Sequence, residues 1–271
     1  MSPPVSPSPR FAIVTGASSG IGAATAAELV RAGFEVYGTT RNPTRRDLIP
    51  KVHWLPLHAH HREGIEAFIA DFGELLTNAE ILVNNAGSGL FGDFQTVASG
   101  AISAPLKLML EAPIQLTRAA LPSMRERGRG VIANTTSLAA VFPLPYLPLY
   151  TAAKAGLSAF TQSLILTERS SGVALIDFQA GDFRTLFNDR TERPEHLSRE
   201  EERVWRILER NLRAAPDPTV AARALTRAIL KGKSRRLRSG GIFQTRIAPM
   251  GLRLLPGTWM RWALRSYYHV P

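Results

Sequence analysis

The chain has 271 residues, 45% hydrophobic and 20% charged, a balance that suits one large globular domain and excludes a disordered or fibrous protein. It has no cysteine, which excludes disulfides, thiolate catalysis and Cys-ligated metals. The formal net charge of +11 brings anionic partners into question.

In chain order, "MSPPVSPSPR" reads as a Pro-rich disordered tail over residues 1–10, without the apolar core of a signal peptide. No later stretch approaches the ~20 apolar residues of a membrane span, so a cytoplasmic protein is expected. "FAIVTG" (Phe11 to Gly16) is a short apolar strand, followed by an Ala-rich helix from Gly20 to Gly33. Strands are expected at Phe34–Thr40, Val52–Leu57, Glu80–Gly87, Gly130–Ser137 and Val173–Gly181, with an edge strand at Arg235–Gly241. Helices are expected at Arg62–Leu76 and Leu149–Ser170, and over Ala98–Arg127, the last kinked or broken by Pro105 and Pro113. Continuous apolar strands alternating with helices predict a single-domain, three-layer α/β fold, a Rossmann-type doubly wound parallel sheet. It is expected to span residues 11–245 with a mobile polar insert at about 184–218, and a basic, aromatic extension follows at 246–271.

"TGASSGIG" (Thr15 to Gly22) lies between the first strand and the first helix, the context a dinucleotide fingerprint requires. Gly16 permits the tight turn, Gly20 the close approach of backbone to a pyrophosphate, and Gly22 the packing of helix on sheet. Free N–H groups at the helix start would receive the anion. Further on, "LYTAAKAGL" puts Tyr150 and Lys154 four residues apart, on one helix face. A free phenol titrates near ~10 and is a poor base at neutral pH, whereas a cation beside it favours the phenolate. "HAHH" at His58, His60 and His61 matches no zinc spacing, so no metal is expected.

The spacing T-G-x-x-x-G-x-G resembles that of single-domain short-chain dehydrogenases/reductases. "NNAG" (Asn84 to Gly87), Ser137 upstream of "YTAAK", and "QAGDFRT" (Gln179 to Thr185) resemble the family's later motifs in order, in register from about Phe11 to Phe187. The resemblance implies a carbonyl–alcohol oxidoreductase in which Tyr150 is the general acid/base, Lys154 lowers its pKa and holds the nicotinamide ribose, and Ser137 orients the reacting oxygen. It implies a dinucleotide held by Gly16, Ser18, Ser19, Gly20, Ile21 and Gly22, by Asn85, Ala86 and Gly87, by Tyr150 and Lys154, and by Gly181 and Thr185. At the end of the second strand, Thr40 stands where an NAD-binding protein carries an acid, and Arg41 follows. A guanidinium pairs with a 2′-phosphate, which favours NADP(H), with Arg45 and Arg46 adding field.

Three positions depart from the family pattern. Met109 falls where the family has an asparagine that holds a relay water, and a thioether cannot donate a hydrogen bond. His58 replaces the acid that meets the adenine. Ala180 replaces a proline. The first departure keeps a second reading open: a dinucleotide-binding protein of low or no turnover, acting as a sensor or partner subunit.

The substrate is expected to be a lipophilic small molecule, with Val141–Tyr150, Leu90, Phe91 and Phe94 forming either an apolar wall or ordinary core. The family resemblance implies a homodimer or homotetramer through the helices at Ala98–Arg127 and Leu149–Ser170. From Lys231 to the end there are nine Lys and Arg residues and no acid, interleaved with Trp259, Trp262, Tyr267 and Tyr268. That pattern suggests peripheral contact with an anionic membrane or an acidic partner. No nucleic-acid module is legible, so no nucleic acid is expected.

Overall fold

A computed structural model describes residues 10–44, 49–241 and 257–270. The expected tail at residues 1–9, Arg45, Arg46 and residues 246–256 and 271 of the extension lie outside the described residues.

Seven strands form one sheet: β1 (Phe11–Val14), β2 (Glu35–Thr40), β3 (Val52–Pro56), β4 (Ile81–Asn84), β5 (Gly130–Ser137), β6 (Val173–Ala180) and β7 (Arg235–Ser239). Their order is β3-β2-β1-β4-β5-β6-β7, and every pairing is parallel. The helices are α1 (Gly20–Arg31), α2 (Arg62–Asn78), α3 (Ser99–Leu106), α4 (Ala112–Glu126), α5 (Pro148–Thr167), α6 (Arg199–Ala214), α7 (Pro218–Lys231) and α8 (Gly257–Tyr268). This is the expected doubly wound, three-layer architecture.

The period-2 alternation of strand side chains builds a core on each face. Ala12, Val14, Ile81, Val83, Val131 and Ala133 pack on one side with α1 and α7. Ile13, Leu82 and Ile132 point to the other, against α2, α4 and α5. β5 and β6 are buried along their whole lengths, as a sheet covered on both faces requires. The strand order reverses between β1 and β4, and the crevice outside their carboxyl ends is where such a sheet takes a ligand.

Two expectations are refined. The helix over Ala98–Arg127, expected to be kinked or broken, is interrupted between its prolines but not broken. A π-helical turn at Lys107–Glu111 joins α3 to α4, and the residues flanking it keep right-handed helical angles. The wider turn brings Pro113 to the first turn of α4, where its missing N–H costs no helical bond. The insert at 184–218 contains a packed helix. Ser198 and Glu201 form a reciprocal capping box at the start of α6. Val204, Trp205, Ile207 and Leu208 are buried with Phe91, Leu147 and Tyr268 in a third apolar cluster.

Candidate active site

The glycine turn between β1 and α1 is built from backbone that side chains would spoil. Gly16 and Gly20 have φ of +64° and +56°, the left-handed region open to glycine. A Cβ on Gly16 would lie 2.8 Å from the Ala86 Cα. On Gly22 it would lie 2.4 Å from the Gly16 carbonyl oxygen, so α1 packs directly onto the turn. The Thr15 hydroxyl accepts from the Asn85 and Ala86 amides at 2.9 and 3.1 Å. Asn85 Nδ2 returns a bond to the Thr15 carbonyl at 3.1 Å. The two turns at the switch point are thereby one clamped unit. α1 has no side-chain cap and no acid in its first turn, which leaves its positive end open to an anion.

Across the crevice, Ser137 closes β5, and Tyr150 and Lys154 stand one turn apart on α5. The Ser137 hydroxyl accepts from the Ala139 amide at 3.1 Å and lies near enough to the Tyr150 phenol to act on its pKa. Lys154 Nζ donates to the Thr135 carbonyl at 2.7 Å and lies 5.9 Å from the centre of the Tyr150 ring. The Phe187 ring meets that of Tyr150 edge-on at 5.2 Å. Burial alone pushes the Lys154 ammonium down to about 8. Burial also pushes the Tyr150 phenol above its ordinary value, with the Ser137 hydroxyl opposing the rise and Asp182 adding to it.

These elements enclose a groove of about 450 Å³, a size that suits a small-molecule site. Of the residues expected to act in catalysis or hold the dinucleotide, all line the groove except Gly22, which packs behind it, and His58. The exclusion of His58 has a local cause. The Leu57 amide pairs with the Thr40 carbonyl at 3.0 Å, so Leu57 turns in and His58 is exposed. His60 takes the place at the groove, and burial and Arg41 hold its imidazolium below the ordinary value while Glu192 opposes them. Met109 is fully buried in the π-helical turn. A Cβ on Gly87 would lie 3.6 Å from the Met109 sulfur and 3.8 Å from Lys154 Nζ. The sulfur and the ammonium thus both border the space beside Gly87.

Only part of the anticipated apolar wall reaches the groove. Leu144 and Leu147 line it, joined by Leu208 and Leu212 of α6. Leu90, Phe91 and Phe94 do not line it. Phe91 is core against Tyr146 and Trp205, and Phe94 is exposed.

Sequence reasoning also missed a strap across the groove. Arg190 Nη1 donates to the Ser19 hydroxyl at the glycine turn, at 2.6 Å. Two residues on, the Glu192 amide donates to the Gly89 carbonyl at 3.0 Å, and the Phe91 amide donates to the Glu192 carbonyl at 2.8 Å. Arg190 has no motif spacing, and its partner is 171 residues away, so no local signal marks it.

The groove suits a dinucleotide. Its floor at Gly16 and Gly20 is bare backbone, and a Cβ on Gly20 would press on Thr185 at 3.2 Å. Thr135 Oγ1 and Asn188 Nδ2 are buried without a protein hydrogen-bond partner and both residues line the groove, ready for a polar ligand.

Residues 10–196 match the family model described as short chain dehydrogenase. The chain is 30% identical to a 3-ketodihydrosphingosine reductase of Bacteroides thetaiotaomicron, over 97% of this chain and 99% of that one. Among solved structures, a short-chain dehydrogenase from Streptomyces avermitilis superposes with a TM-score of 0.80 at 27% identity, covering 95% of this chain and 98% of that one. A metagenomic short-chain oxidoreductase in complex with NADP gives a TM-score of 0.64 at 26% identity, covering 84% and 97%.

Proposed function

Since the chain belongs to the short-chain dehydrogenase/reductase family, whose members are oxidoreductases, we propose that it is an NADP(H)-dependent enzyme interconverting a carbonyl and an alcohol on a lipophilic small molecule. The observation that carries this reading is the meeting of Ser137, Tyr150 and Lys154 in one groove with the bare glycine turn. Gly16, Ser18, Ser19, Gly20 and Ile21 would hold the dinucleotide's phosphates, and Asn85, Ala86, Gly87, Gly181 and Thr185 would hold the rest of it. Bound there, the dinucleotide supplies the hydride.

The remaining steps belong to the protein. Burial keeps Tyr150 protonated, which fits a proton donor in the reducing direction. Its proton passes to the carbonyl oxygen as negative charge develops there, and the Ser137 hydroxyl hydrogen-bonds the same oxygen. Lys154, anchored by the Thr135 carbonyl, balances the phenolate left behind. Arg41 selects the 2′-phosphate, supported by the absence of an acid at the end of β2 and by the positive field that Arg41 exerts on His60. A long-chain 3-keto lipid suits the apolar wall of Leu144, Leu147, Leu208 and Leu212, and a 3-keto lipid reductase is among the relatives. A homodimer or homotetramer fits the family, and Leu166 stands 74% exposed on α5, the helix expected to pair.

The test is a titration with NADPH and NADH followed by nicotinamide fluorescence, then a screen of 3-keto lipids for NADPH consumption. Tight NADPH binding with turnover supports the reading, and no binding of either dinucleotide refutes it. Met109, which with Lys154 borders the space beside Gly87, favours a second reading, a dinucleotide-binding protein of low turnover. If the missing relay limits proton supply, Met109→Asn raises kcat several-fold at unchanged NADPH affinity; unchanged kcat removes Met109 as the cause.

A further inference from the structure

We infer that the outer face of α8 is a docking surface for an anionic lipid bilayer, placed at the rim of the groove. The inner face of this helix is already used. Tyr268 is buried, and Leu264 and Val270 pack with it against the apolar cluster of α6. The Tyr267 hydroxyl accepts from Asn211 of α6 at 2.9 Å. What remains outward is not the polar face of an ordinary surface helix. Trp259 is 61% exposed and Trp262 67%. At this spacing they are neighbours on one face. Arg265, three residues after Trp262, is exposed on the same flank, and Arg261 is exposed on the adjoining side of the helix.

Two exposed indoles next to guanidinium groups match the chemistry of the lipid headgroup level, where an amphipathic ring lies between acyl chain and water and the cation meets a phosphate. Charge complementarity commits the occupant: from Lys231 to the end the chain has no acidic residue. The surface is one to lie on a bilayer, because among the described residues no helix is long and apolar enough to cross one. An acidic protein would satisfy the arginines but leaves the paired indoles unexplained.

The position gives the contact a use. α6, on which α8 rests, lends Leu208 and Leu212 to the groove. Tyr268 feels the charge of Asp182, which also lines the groove. Leu186, another lining residue, is 52% exposed. Seated on a bilayer by α8, the groove takes up a lipophilic ligand without carrying it through water. That use rests on the proposed function; the docking surface itself does not.

The experiment uses the full chain with vesicles of phosphatidylcholine alone or mixed with phosphatidylglycerol, read by flotation. Binding is expected to the mixed vesicles, about tenfold weaker without the anionic lipid, and weakened by salt. Trp259→Ser with Trp262→Ser lowers partitioning about tenfold, while thermal melting matches the unsubstituted protein. Independently of any variant, tryptophan emission shifts to the blue on binding and is quenched by brominated lipid, since Trp205 is buried, Trp54 is half-buried against the sheet core and the exposed indoles are those of α8. Absence of flotation with the mixed vesicles overturns the inference. So does flotation undiminished by the double substitution. Retention on a polyglutamate matrix that the tryptophan substitutions leave intact, without vesicle binding, assigns the charge to an acidic partner instead.

Discussion

Arg41→Gln should convert the groove from one that prefers NADPH to one that scarcely distinguishes the two dinucleotides. Arg41 follows β2 at the groove edge and is exposed. A charge-assisted hydrogen bond contributes about 1.5–3 kcal/mol. Exposure and screening put Arg41 in the lower half of that range. At a factor of ten per 1.4 kcal/mol, the NADPH Kd rises about 10–30-fold, whereas the NADH Kd changes by less than about twofold because no phosphate is lost. Fluorescence titration measures both, and raising the salt should shrink the NADPH difference. Arg190→Gln completes a double-mutant cycle. Arg190 reaches the Ser19 hydroxyl from the strap, so if both guanidiniums meet the phosphate the two losses are non-additive. Equal weakening of NADPH and NADH by Arg41→Gln, or no effect on either, refutes the phosphate-selector argument.

Lys154 predicts a pH profile. Its pKa is held down to about 8, so the ammonium is full below that pH and lost as pH rises through it. If the cation is needed, kcat falls above about pH 8, Lys154→Arg moves that limb upward, and Lys154→Met lowers kcat by about 10²-fold or more; a limb unmoved by Lys154→Arg assigns it elsewhere. Asp177 predicts a stability effect remote from the groove. It is fully buried and accepts from Thr136, Ser158, Gln162 and Arg236 at 2.6, 2.8, 3.1 and 3.0 Å. Removing it strands those donors, so Asp177→Ala costs about 3 kcal/mol in denaturant unfolding, and Asp177→Asn, which keeps one acceptor, about half of that. An Ala variant within 1 kcal/mol of the parent (about one lost neutral hydrogen bond) would show that water replaces the carboxylate.

What was legible in the sequence is what local chemistry dictates. β5 runs from Gly130 to Ser137 as read, and the glycine turn holds the left-handed angles its spacing demands. Misreadings arose where a local rule met a tertiary one. Two prolines look like helix breaks because each lacks a donor, yet a π-helical turn between them keeps the helix continuous. His58 looks like the adenine neighbour by its place in "LPLHAHH", but pairing of Leu57 with β2 turns it outward and brings His60 to the groove. The desolvation that raises the Tyr150 pKa has no signature in the sequence, because it is a property of the folded groove. The strap and the far wall carry no motif at all. The family match ends at residue 196, while Leu208, Leu212 and the helix they rest against come after it. The half of the groove proposed to hold the chemistry is therefore written in spacing, and the half proposed to choose the substrate is written in packing. Exchanging α6 and α8 between relatives, with the Ser137–Tyr150–Lys154 set untouched, is thus expected to move substrate preference while leaving dinucleotide preference with Arg41.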